Sequence, residues 1–163
     1  MKKITPCLWF DRQALEAVKY YLSIFKNSRL VNVSYYGKEG QEIHGMPEGT
    51  VLTVEFEING QPFTAMNGGP LFKFNEAVSF QVHCKTQKEL DFYWQKLSRG
   101  GDPKARQCGW LKDRYGLSWQ VVPVEIRRWM SSKDKRRSER VMKALLSMKK
   151  LDIQKLKRAY EGV

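Results

Sequence analysis

Apolar positions along the chain switch between two periods, and each switch marks an element. Ile4 to Phe10 reads as a strand, with Pro6 placing it near a sheet edge or a bulge. Asp11-Arg12-Gln13 then opens a helix, because Ala14, Val18, Tyr21, Leu22 and Phe25 recur at a helical spacing of about 3.6 residues. Asn27-Ser28 ends it. Arg29 to Tyr36 predicts a second strand and Gly37 to Gly49 a polar loop. Thr50 to Ile58 alternates cleanly, with Leu52, Val54, Phe56 and Ile58 on one face and Thr53, Glu55 and Glu57 on the other. Asn59-Gly60 follows, a pair suited to a type I′ hairpin because both turn positions need positive φ. Phe63 to Asn67 is the return strand, closed by Gly68-Gly69-Pro70.

The same order then recurs. Val78 to Cys84 predicts a strand, and Thr86 with Glu89 three residues later forms a capping-box signature for a helix carrying Leu90, Tyr93, Trp94 and Leu97. Gly100-Gly101 breaks that helix. Arg106 to Lys112 predicts a strand, Asp113-Arg114-Tyr115-Gly116 a turn opened by the Asp113 carboxylate, and Leu117 to Val122 a last strand stopped by Pro123. At an offset of 72 residues, Val18-Lys19-Tyr20-Tyr21 lies over Leu90-Asp91-Phe92-Tyr93, and Pro6 to Phe10 lies over Val78 to Val82. Two modules are therefore expected, residues 1–75 and 76–123, within a single domain of 163 residues. Residues 124–163 form a helical tail: Val124 to Met130, Ser138 to about Met148, and Asp152 to Tyr160 with Asp152 as cap.

Composition narrows the function. The chain has 29 Lys and Arg against 17 Asp and Glu, a net charge of +12, and the excess is local: the tail holds 13 basic and 5 acidic residues, net +8. Eight Phe, five Trp and seven Tyr supply ample apolar area for a core, which argues against disorder. No window of about 18 apolar residues exists to span a bilayer, and the first residues meet Asp11 and Arg12 too soon for a signal peptide. Three well-separated cysteines, Cys7, Cys84 and Cys108, contain no C-x-x-C pair. That pattern suits reduced thiols and a cytoplasmic location, and gives neither a disulfide framework nor a cysteine zinc knuckle.

Thr5-Pro6-Cys7-Leu8-Trp9-Phe10-Asp11, Asn67-Gly68-Gly69-Pro70, Asp113 through Pro123 and the tail from Arg140 to Ile153 together resemble the PhnB-like branch of the glyoxalase/bleomycin-resistance (vicinal oxygen chelate) superfamily, a group often labelled 3-demethylubiquinone-9 3-methyltransferase domain. The resemblance implies an α+β fold of two βαβββ modules whose eight strands form a half-open barrel, followed here by the helical tail, and it implies a homodimer. The methyltransferase label draws no support from the residues. A methyl-donor enzyme of the common α/β type places a G-x-G-like turn after its first strand, and no G-x-G occurs in this chain.

Metal-dependent members of the superfamily take ligands from inward-facing positions, His or similar on the first strand of each module and Glu on the last. On that pattern the second module offers Ser79 and Gln120; the first offers Pro6 or Cys7 and one of Ala65, Met66 or Asn67. Neutral hydroxyl and amide groups are poor ligands for zinc or iron, so no metal and no cofactor are expected. Strand parity groups Thr5, Cys7 and Trp9, and by the repeat offset Ser79, Gln81 and His83, while Ser118 and Gln120 share a face. A small-molecule cavity lined by Cys7, Trp9, Asn67, Ser79, Gln81, Ser118 and Gln120 is the expected site. Two other arrangements fit the residues differently. One is a metal enzyme with rearranged ligands such as His83 and Glu55. The other is nucleic-acid binding by Lys133, Lys135, Arg136, Arg137, Arg140 and Lys143. Against the latter, Val141, Ala144, Leu145 and Met148 form a helical stripe that would dock the tail on the body and leave the cations in water.

Overall fold

The first strand is shorter than its predicted span: in the computed structural model, which describes residues 4–163, β1 covers Cys7–Phe10 only. It pairs in parallel with β4 (Gln61–Asn67), and the sheet continues through β3 (Val51–Ile58) to β2 (Ser28–Tyr35) in the order β1-β4-β3-β2. The β3–β4 turn is the one predicted, with Asn59 at φ 50° and Gly60 at φ 76°. One face of this sheet is covered by α1 (Ala14–Ile24). Leu8, Phe10, Val54, Phe56 and Ala65 are buried beneath Ala14, Ala17, Val18 and Tyr21, which all lie on one side of the helix. Gly37 to Gly49 is not wholly loop: Gln41–His44 makes one helical turn, α2, between left-handed Gly40 and Gly45. These elements form a first unit, residues 1–74.

The second unit, residues 75–163, is built on a sheet of three strands rather than four, in the order β5-β7-β6: β5 is Ser79–Cys84, β6 Trp110–Lys112 and β7 Ser118–Pro123. The described residues thus hold seven strands where eight are expected. The predicted strand from Arg106 to Lys112 is cut by a tight reversal at Cys108 (φ 53°) and Gly109 (φ 85°), which leaves a single bridge, Gln107 to Trp110, beside β6. A short 3-10 turn at Pro103–Ala105 precedes it.

Helix α3 (Gln87–Ser98) covers one face of this sheet, and its capping box forms as predicted. The Glu89 amide donates to Thr86 Oγ1 at 3.2 Å while the Glu89 carboxylate accepts from the Thr86 amide at 3.4 Å. Leu90 and Leu97 bury against Leu111, Trp119 and Val121. Asp113 opens the β6–β7 turn: its Oδ1 accepts from the amides of Tyr115 and Leu117, and its Oδ2 from Trp119 Nε1 at 2.9 Å.

The tail folds as α4 (Ile126–Met130), α5 (Lys135–Leu146) and α6 (Ile153–Glu161), with Asp152 capping α6 through the Lys155 amide. It belongs to the second unit. Trp129, Val141, Leu151 and Leu156 are buried, and the amides of Cys108 and Gly109 donate to the carbonyls of Met148 and Lys149. Part of its charge serves the fold. Arg140 donates to the carbonyls of Ala159 and Tyr160, and Lys150 reaches Asp91 at 2.5 Å. No helix among the described residues is long and apolar enough to cross a membrane.

Candidate functional site

The polar residues expected in the second module come together on one face of its sheet. In a ladder, directly paired residues project to the same side. Ser79 pairs with Ser118 and Gln81 with Gln120 across β5–β7, and Gln120 pairs with Trp110 and Ser118 with Lys112 across β7–β6. That side therefore carries Ser79, Gln81, Ser118, Gln120, Trp110 and Lys112, opposite the face covered by α3.

Three of these side chains form a relay. Gln81 Nε2 donates to Gln120 Oε1 at 3.2 Å, and Gln120 Nε2 donates to Ser79 Oγ at 2.8 Å. Among the described residues, the direction leaves the Ser79 hydroxyl hydrogen and the Gln81 carbonyl oxygen without partners. Ser118 is 1 % exposed, and its hydroxyl has no hydrogen-bond partner among the described residues. A cavity of about 400 Å³ lies on the β6 side of Ser118, with Glu76, Gln107, Cys108, Trp110 and Lys112 in its wall. Across that wall Lys112 Nζ meets Glu76 Oε1 at 2.6 Å, and this hydrogen bond holds the Glu76 carboxyl below its ordinary range.

Cys7 and Trp9 share a face of the first unit's sheet, the one opposite α1. Cys7 is exposed, although desolvation around its sulfur pushes the thiol up. Trp9 is half-buried, and its indole nitrogen is already committed to the Gly69 carbonyl at 2.9 Å. Asn67 does not join them. It pairs with Phe10 across β1–β4 and so lies under α1, 2 % exposed. There Oδ1 accepts from the Ala14 amide at 2.8 Å and Nδ2 donates to the Val51 carbonyl at 2.9 Å. Both ends of the carboxamide are in use, and its role is to fasten helix to sheet.

Lys112, Trp110 and Glu76 were not among the expected site residues. The cross-turn count carries a usable signal: the reversal over Asp113 to Leu117 sets Lys112 opposite Ser118. Nothing in the local sequence points to Glu76, which comes from the turn before β5.

A divalent ion does not fit these donors. The Ser79 oxygen is occupied by the Gln120 amide, Gln81 and Gln120 supply only neutral carboxamides, and Lys112 brings a positive charge to the same face. His83 is exposed. Among the described residues no three His, Cys, Asp or Glu side chains cluster as a metal site would need. A methyl-donor cofactor finds no cradle either. The strand-to-helix passages at Asp11–Gln13 and Lys85–Thr86 contain no glycine that would let a backbone approach a cofactor closely.

Residues 2–122 match the family model described as 3-demethylubiquinone-9 3-methyltransferase. The PhnB protein from Bacillus cereus is 36 % identical over 74 % of this chain and 99 % of its own, with a TM-score of 0.62. A protein from Pseudomonas aeruginosa shares the fold at 18 % identity, covering 76 % of this chain and 97 % of its own, with a TM-score of 0.57. No curated protein matches the sequence. The match to the family model ends at 122, so the basic tail, which the motif resemblance takes in, stands outside it.

Proposed function

Because the chain belongs to the 3-demethylubiquinone-9 3-methyltransferase family, the PhnB-like branch of the vicinal oxygen chelate superfamily, we propose that it binds a small oxygen-bearing organic molecule on the open face of its second sheet without a metal ion. The observation that carries this reading is the relay from Gln81 through Gln120 to Ser79. A carboxamide and a hydroxyl stand where the resemblance assigns carboxylate and imidazole, so the site works by hydrogen bonding and not by Lewis acidity. The relay presents a donor at Ser79 and an acceptor at Gln81, which suits a ligand carrying a carbonyl beside a hydroxyl. Trp110, directly paired with Gln120, supplies an apolar wall to the same face.

Thermal denaturation against a panel of hydroxy acids, keto acids, catechols and quinones tests the proposal. A ligand present at about 100 times its Kd adds about 2.7 kcal/mol, which is a shift of several degrees. The expected result is a shift in the wild type that Gln120→Ala abolishes while leaving the unliganded Tm nearly unchanged. No shift from any compound, or an equal shift in Gln120→Ala, would remove the reading. A stoichiometric metal ion in protein purified without chelator would overturn its metal-free part.

A further inference from the structure

A buried hydroxyl with no partner is costly, because a polar group withdrawn from water normally keeps at least one hydrogen bond. Ser118 is such a group, and it sits directly opposite Lys112 in the β6–β7 ladder. Among the described residues Lys112 is the only cation lining the adjacent cavity, and its side chain is 24 % exposed. It is held by Glu76, whose side chain is 59 % exposed and which comes from a turn outside any strand. A half-buried cation and an unsatisfied donor therefore share a cavity wall with an exposed carboxylate.

We propose that Glu76 is an intramolecular stand-in for a ligand carboxylate, and that this face recognises small carboxylic acids through Lys112 and Ser118. The reading rests on the proposed small-molecule function and names its ligand class. On binding, the ligand carboxylate replaces that of Glu76 on the Lys112 ammonium, and its second oxygen accepts from the Ser118 hydroxyl. Glu76 returns to water. No charge is left unpaired in the cavity, because one carboxylate is exchanged for another. Ser79, paired with Ser118 on the other side, then lies within one ladder step of the ligand's next polar group.

Titration calorimetry with sodium pyruvate and sodium acetate, with inorganic phosphate as comparator at matched ionic strength, tests the exchange. Glu76→Gln removes the competitor while breaking only an exposed ion pair, so the variant should stay folded. It is expected to bind pyruvate several-fold more tightly than the wild type. Lys112→Met should weaken binding by about tenfold or more, the loss of a charge-assisted hydrogen bond, and Ser118→Ala should weaken it less.

Unchanged or weaker pyruvate binding in Glu76→Gln overturns the proposal, as does failure of that variant to bind either carboxylate in the millimolar range. So does phosphate binding as tightly as pyruvate. If a panel compound binds in a Gln120-dependent way yet is indifferent to Lys112→Met and Glu76→Gln, the carboxylate assignment falls and the parent reading stands. If nothing binds any variant, both fall.

Discussion

Asn67 caps helix α1 from the far end of the first sheet: its side-chain oxygen accepts the Ala14 amide, 53 residues away in sequence, at 2.8 Å. No residue at the helix's own N-terminus does this work, for Gln13 makes no capping hydrogen bond. Replacing Asn67 by Ala strands the Ala14 amide and the Val51 carbonyl, each at a cost of about 1–3 kcal/mol when buried. Asn67→Asp keeps the acceptor for Ala14 but buries a negative charge and turns an oxygen toward the Val51 carbonyl, so it too should be less stable than wild type. Urea denaturation of the three proteins checks the order. Equal stabilities would show that the contact is not made in solution.

Gly101 lies where the turn after α3 passes over β6. A Cβ there would stand 1.9 Å from the carbonyl oxygen of Lys112, a backbone atom that cannot rotate away. Gly101→Ala is expected to cost about 1–3 kcal/mol or more through overpacking, and because Lys112 is the atom's owner, carboxylate binding should weaken with it. A Tm equal to wild type would contradict this packing.

Cys7 and Cys84 should differ in accessibility to a thiol reagent. Burial first, and the Glu89 charge second, push the Cys84 thiol up to about 12. At pH 8 its thiolate fraction is then on the order of one part in 10⁴, and the side chain is sealed besides. Ellman's reagent should label Cys7 in the native protein and reach Cys84 only on unfolding. Rapid native labelling of Cys84, located by mass spectrometry, would be the contrary result.

Acid should loosen the tail's attachment to α3. Hydrogen bonds from Lys150 and then Gln87 lower the Asp91 carboxyl below its unfolded value. A depressed carboxylate contributes stability that is fully present above the unfolded pKa and is lost as pH falls through the folded one. The pair is exposed on both sides, so the contribution is below about 1 kcal/mol. Lys150→Met should therefore lose less stability than wild type between neutral pH and pH 3, and the two curves should converge in acid. Parallel curves would show that the pair contributes nothing.

Local chemistry was the readable part of this sequence. Asn59-Gly60, Thr86 with Glu89, and Asp113 before Gly116 each act within a few residues, and each forms as its type requires. Faces were harder. Alternation groups residues within one strand but does not say how one strand's parity meets the next, and a one-residue register choice moves Asn67 from the Trp9 side to the Phe10 side. The reversal at Cys108 carried no usual signal, because a type I′ turn ordinarily takes Asn, Asp or Gly at the position cysteine holds. Ser79, Gln81, Ser118 and Gln120 share a face because their strands pair in register, while Lys112 and Glu76 meet only through the folded turn before β5.

The amides of Cys108 and Gly109 hang on carbonyls of the tail, and Cys108 is also part of the cavity wall. A protein trimmed after Pro123, to match the length its relatives share, would lose both fastenings. Ligand screens run on such a fragment would sample a slack wall, and a blank result there would say nothing about the intact chain.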